Sequence, residues 1–174
     1  MQEALQRAIE LHQQGRLDQA EISYKKFLAN HPNHFHAEHL LGVLRSQQGR
    51  NLEALGHITA ALTRNPNSPA ALSNLGLLFT KLNRSAEALA SYDKALAIDP
   101  DYVLALYNRG NVLLELKRPA EALASYDKAL AIKPDYAEAL ASDYNALRDL
   151  KRPAEALASY DQALTITPDH VETR

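Results

Sequence analysis

The chain has 174 residues, a net charge of −2 and no cysteine. That composition excludes a disulfide framework, a thiolate metal site and a cysteine nucleophile, and it offers no basic face for nucleic acid or anionic lipid. Hydrophobic residues make up 46% of the chain, enough to fold, yet no apolar run approaches the ~20 residues of a membrane span; a cytoplasmic setting is expected.

Residues 1–34 set a pattern. MQEALQRAIELHQQ reads as an amphipathic helix with acidic residues, not as a secretory leader. Gln14-Gly15-Arg16 interrupts it, LDQAEISYKKFLAN resumes, and Pro32-Asn33 ends the stretch. Further along, prolines fall at 66, 100, 134 and 168, each 34 residues after the last and each followed by Asn or Asp. A proline stops the helix before it, because its ring excludes the α conformation one residue back. Asn33, Asn67, Asp101, Asp135 and Asp169 are expected to cap the helix that follows. The mid-unit break recurs as Gln48-Gly49-Arg50, Leu82-Asn83-Arg84, Lys117-Arg118-Pro119 and Lys151-Arg152-Pro153. Glycine and asparagine accept the left-handed conformation that ends a helix, and Pro119 and Pro153 suit the first position of the next.

Each unit is therefore two helices of about 13 residues joined by a tight turn. The second helix is nearly copied: AEALASYDKALAI at 86–98 recurs unchanged at 120–132 and as AEALASYDQALTI at 154–166. The units are 1–34, 35–68, 69–102, 103–136 and 137–170, with 171–174 as the start of a truncated sixth. Numbering each unit from 1, small residues hold position 8 (Ala8, Gly42, Gly76, Gly110) and position 20 (Ala20, Ala54, Ala88, Ala122, Ala156). Position 27 is Ala61, Ala95, Ala129 and Ala163, with Phe27 in the first unit. Position 24 is large: Tyr24, Ile58, Tyr92, Tyr126 and Tyr160. Small residues let helix axes approach, and one large side chain fills the remaining gap.

This 34-residue helix–turn–helix period resembles the tetratricopeptide repeat. The resemblance implies an all-α, right-handed α-solenoid of five antiparallel hairpins forming one domain, with the first helices lining a groove. At 100° per residue, positions 4, 7, 8, 11 and 14 of the first helix form an apolar side. Positions 2, 5, 9, 12 and 13 lie opposite, with position 6 on the flank. The groove then takes His36, His39, Ser73, Asn74, Tyr107, Asn108, Asn111 and Asn145. An amide both donates and accepts, so a row of asparagines can pair with the backbone of an extended peptide. Asn74 and Asn108 are similar in position to the asparagine row in the repeats of O-linked GlcNAc transferase.

Other chemistry is thin. His36 and His39 lie one turn apart, but no further ligand completes a site, so no metal and no cofactor is expected. The repeated Ser-Tyr-Asp triplet does not converge, because adjacent helical residues point 100° apart. The fifth unit departs from the rule: Tyr144 replaces the small residue at position 8 and Asp143 the apolar residue at position 7, so its first helix is expected to shift or rotate. No polar capping helix follows Ile166, and such arrays normally end in one. An apolar end is expected there, with Tyr144, Leu157 and Leu164 carrying self-association as a homodimer.

The functional expectation is a non-catalytic scaffold that binds a protein or extended peptide in its groove. A substrate-recruiting arm of a larger enzyme, such as a glycosyltransferase, and a self-associating array are the alternatives.

Overall fold

The computed structural model describes residues 2–166. Among these residues there are ten helices and no strand: α1 (Gln2–Gln13), α2 (Leu17–Asn30), α3 (Phe35–Gln47), α4 (Asn51–Arg64), α5 (Pro69–Lys81), α6 (Ser85–Ile98), α7 (Val103–Glu115), α8 (Pro119–Ile132), α9 (Ala137–Asp149) and α10 (Pro153–Ile166). The fold is an all-α helical-repeat solenoid. Two compact units divide it, Met1–Arg84 and Ser85–Arg174, so α1–α5 belong to the first and α6–α10 to the second.

The mid-repeat turns share one hydrogen-bond pattern. The N–H of Arg16, Arg50, Arg84, Arg118 and Arg152 donates to the carbonyl five residues back, at 2.9–3.0 Å, as in a Schellman closure. That closure needs a left-handed residue just before the arginine. Gly15 and Gly49 supply it without strain (φ 72° and 76°), and Asn83 at little cost (φ 58°), but in the second unit Lys117 and Lys151 adopt it (φ 59° and 58°). Pro119 and Pro153 start the next helix immediately afterwards.

The caps of the first helices lie one residue beyond the expected Asn or Asp. His34 Nδ1 accepts from Ala37 N–H and Ser68 Oγ from Ala71 N–H, both at 3.3 Å, while Tyr102 and Tyr136 cap without a side-chain bond. Asn33, Asn67, Asp101 and Asp135 stand inside the turn. The side chains that shape it come from before the proline: Asn65 Oδ1 accepts from Asn67 N–H and Asp99 Oδ1 from Asp101 N–H. The expected cap at Asp169 lies outside the described residues.

The small-residue rows carry the core. Position 20 is buried throughout, and Tyr24, Ile58, Tyr92 and Tyr126 are at most 1% exposed. A Cβ on Gly110 would lie 2.8 Å from Cδ1 and Cζ of Tyr126, and one on Gly42 would lie 2.7 Å from Cγ1 of Ile58. Position 8 must stay small because the position-24 side chain occupies its space.

Tyr144 breaks this rule without moving its helix out of register. Ala139, Leu140, Ala146 and Leu147 of α9 are buried, like their counterparts Ala105, Leu106, Val112 and Leu113 of α7. The Tyr144 ring packs 5.4 Å from that of Tyr160, which is half-buried where Tyr126, covered by Ala146 and Leu147 of the next helix, is fully buried.

Two buried rows escaped the two-faced reading of the first helix. Position 3 (Ala37, Ala71, Ala105, Ala139) and position 10 (Leu44, Leu78, Val112, Ala146) are at most 1% exposed. Leu44 packs on Ala8, Ala20 and Tyr24, Leu78 on Ala54 and Ile58, and Ala146 on Leu113 and Ala122. The first helix thus packs against both its own partner and the preceding repeat, and its buried arc is wide.

Candidate peptide-binding groove

The wide arc leaves positions 2, 6, 9 and 13 of the first helices as the open face, and it corrects two expected groove residues. Ser73 and His39, both at position 5, are buried at 5% and 7% exposure. His36 stays exposed, and Asn74, Tyr107, Asn108, Asn111 and Asn145 are half-buried.

In the first unit His39 and Asn74 meet. Asn74 Nδ2 lies 2.9 Å from His39 Nε2. An amide nitrogen only donates, so Nε2 is the acceptor and the ring is neutral. Burial, reinforced by the nearby His36, lowers the His39 pKa to about 4. The contact uses one Asn74 N–H and leaves Oδ1 open. One repeat apart in the same way, Lys81 Nζ donates to Ser46 O and Oγ at 3.2 and 3.0 Å.

Three further histidines among the described residues serve the fold. His57 Nδ1 pairs with Glu38 Oε1 at 2.8 Å, His34 caps α3, and His31 stacks on Phe27 at 4.4 Å. Among the described residues no three His, Cys, Asp or Glu side chains are placed to hold a metal ion.

In the second unit α7 and α9 border a cleft of about 450 Å³. It is lined by Asn111, Leu114, Glu115, Lys117, Asn145, Arg148 and Asp149. Asn111 and Asn145 occupy the same position one repeat apart, and their own contacts orient them. The hydroxyl of buried Tyr126 donates to Asn111 Oδ1 at 2.8 Å, which leaves the Asn111 N–H groups for a ligand. Asn145 Nδ2 donates to Ala141 O at 3.0 Å within its own helix, so Oδ1 remains open. The cleft therefore presents a donor on α7 and an acceptor on α9.

Asn108 lies one turn before Asn111 on α7, and its side chain makes no hydrogen bond among the described residues. Tyr107 packs inward as much as it faces out, its ring 5.0 Å from Tyr136 and 6.3 Å from Tyr126. The sequence pointed to the amides but not to their polarity, which depends on Tyr126, Ala141 and His39. Lys117, the left-handed residue of its turn, also lines the cleft, a placement that residue type alone does not signal.

Among the described residues no helix is long and apolar enough to cross a membrane. Family models described as tetratricopeptide repeat match residues 5–69, 103–136 and 145–170, and a further TPR-repeat model matches 76–117. No curated protein matches the sequence. Solved structures with the same fold include PilF of Pseudomonas aeruginosa, which is 22% identical and covers 95% of this chain and 75% of its own (TM-score 0.89). TTC0263, a thermophilic TPR protein of Thermus thermophilus, is 24% identical over 97% and 92% (TM-score 0.80). YrrB, a TPR protein with an unusual peptide-binding site, is 22% identical over 96% and 86% (TM-score 0.75). Repeat models thus fall in all five periods of the sequence, and the chain belongs to the tetratricopeptide-repeat family.

Proposed function

We infer that the chain is a non-catalytic interaction module that holds an extended peptide against its first helices, chiefly through the α7–α9 cleft. The observation that carries this reading is the fixed polarity of Asn111 and Asn145 in one cleft. A donor and an acceptor aimed at a peptide backbone bind with little regard to side chains. Glu115, Asp149, Lys117 and Arg148 around them then select for charge. The peptide-binding site named for YrrB is consistent with this use of the fold. The absence of cysteine supports a reducing, cytoplasmic setting, and the net charge of −2 supports a protein partner over nucleic acid.

The test is selection from a random peptide display library, followed by anisotropy titration of an enriched peptide. Asn108→Ala combined with Asn145→Ala removes two groove amides while sparing the Tyr126 hydrogen bond. Each lost hydrogen bond should cost about 0.5–1.5 kcal/mol of binding, with helicity and melting temperature unchanged. Full affinity in the double variant would show that the amide row is not the contact.

A further inference from the structure

Position 7 of the first helix holds leucine in α3 and α5, Leu41 and Leu75, but arginine in α7, Arg109. Arg109 stands two residues before Asn111 on the same helix, which turns the two side chains roughly 160° apart, so Arg109 faces away from the groove. There it borders a cleft of about 320 Å³ walled by α6, α7 and α8. Leu96 and Leu106 supply an apolar wall, and Asp93, Arg109, Ser125 and Lys128 are the polar groups. The guanidinium is held from both sides. Its Nε donates to Asp93 Oδ1 of α6 at 2.7 Å, and Nη1 donates to Ser125 Oγ of α8 at 2.8 Å. Ser125 is 3% exposed and donates its own hydrogen to Glu121 O at 3.1 Å, so its oxygen is the acceptor for Arg109.

Two observations select a ligand. The first is charge. Lys128 is exposed one turn after Ser125 on α8 and has no ionic partner among the described residues. Arg109 and Lys128 therefore face one carboxylate, Asp93, and a single further carboxylate brings the cleft to neutrality. The second is preorganisation. Leucine at the same position of α3 and α5 shows that the repeat does not require a cation there. Yet the Arg109 side chain is 25% exposed and fixed in direction, with Nη2 making no hydrogen bond among the described residues. A planar guanidinium held in this way is suited to a carboxylate, and the leucine wall beside it takes an aliphatic stem.

We propose that this cleft receives a glutamate side chain from the surface of a partner protein, with its carboxylate shared by Arg109 and Lys128 and its methylenes against Leu96 and Leu106. The site lies on the other side of α7 from the amide groove, so the two are occupied independently.

The test is an NMR titration of the isotope-labelled full chain with the blocked tripeptide acetyl-Ala-Glu-Ala-amide. The Arg109 Nε–H and the backbone amides of Ser125 and Lys128 should shift saturably, and the Ala-Gln-Ala counterpart should leave them in place. Arg109→Leu should weaken binding about tenfold or more, with helicity and melting temperature kept, since leucine stands at this position in α3 and α5. Lys128→Gln spares the contact with Asp93 and should weaken binding about two- to fivefold. Asn108→Ala combined with Asn145→Ala should bind the tripeptide as the parent does; a loss there would place the tripeptide in the groove and overturn the proposal. The absence of a saturable shift, equal shifts from the glutamine peptide, or full affinity in Arg109→Leu also overturns it. Binding of butyrate but not of the tripeptide would assign the cleft to a free small carboxylate and overturn the protein-borne source.

Discussion

Lys117 and Lys151 hold a conformation that an L side chain resists by about 1–2 kcal/mol, whereas glycine loses roughly 0.5–1 kcal/mol more chain entropy on folding. The first term is larger. Lys117→Gly and Lys151→Gly should each stabilise the fold by about 0.5–1 kcal/mol, measured by urea denaturation; a loss of stability would mean that the lysine side chain does more than close the turn. At Gly110 the direction reverses. Gly110→Ala drives a methyl into the Tyr126 ring and should cost about 1–3 kcal/mol. Asn111→Ala should cost a similar ~1–3 kcal/mol, because it leaves the buried Tyr126 hydroxyl without its acceptor. Asn145→Ala, which removes only a bond within one helix, should leave stability almost unchanged.

Among the elements, α3 departs most from its counterparts. At position 11, where α1, α7 and α9 bury Leu11, Leu113 and Leu147, α3 buries Arg45 at 1% exposure. Its guanidinium forks onto Glu21 of α2 and reaches Gln48. Glu21 is held at a pKa of about 2, with Lys25 the largest cause and Arg45 next. Without Glu21, buried Arg45 keeps only Gln48 and a longer contact to Glu53 at 3.5 Å, so Glu21→Ala should cost about 3 kcal/mol. The pair Glu21→Leu with Arg45→Leu should lie near the parent or above it, since the other repeats show that leucine fits. Chemical denaturation of the single and double variants would separate these outcomes; equal losses in both would place the value of the site in the ion pair itself. Asp143 of α9 is a second buried charge. Burial pushes its pKa up, and Ser159 Oγ donates to one oxygen at 2.6 Å while the other, Oδ1, has no hydrogen-bond partner. Asp143→Asn should therefore stabilise the second unit at neutral pH.

At the scale of the whole molecule, these groups give the two units opposite responses to acid. His39, in the first unit, has a folded value of about 4 against 6.5 for free imidazole. The unfolded chain takes the proton first, so this contribution is complete above about pH 6.5 and fades as the pH falls toward 4. The Glu21 contribution is complete above about 4.5 and fades toward 2. Asp143, in the second unit, has the reverse sign. Its raised value means that the native carboxyl binds a proton before the unfolded one does, and stability rises as the pH falls through that value. Hydrogen exchange compared at pH 7 and pH 4.5 should show protection lost in α1–α5 before α6–α10. Earlier loss in α6–α10 would contradict this assignment, and His39→Gln should flatten the response of the first unit between pH 6.5 and 4.

The sequence alone determined the period, the helix pairs and the rows of small residues facing one large side chain. Those features are local or repeat at a fixed spacing, so covalent order suffices to reveal them. It also named the amides of the candidate groove. Only the tertiary structure decided which helix faces were buried, because the first helix packs against two neighbours and hides positions 3 and 10 as well as Ser73 and His39. Tertiary contacts likewise set the polarity of Asn111 through Tyr126, a partner 15 residues away. They also settled how Tyr144 was accommodated. A sequence pattern marks a violation at one position, but how it is packed depends on the neighbours around it, and here the Tyr144 ring lies against half-buried Tyr160 while α9 keeps its register.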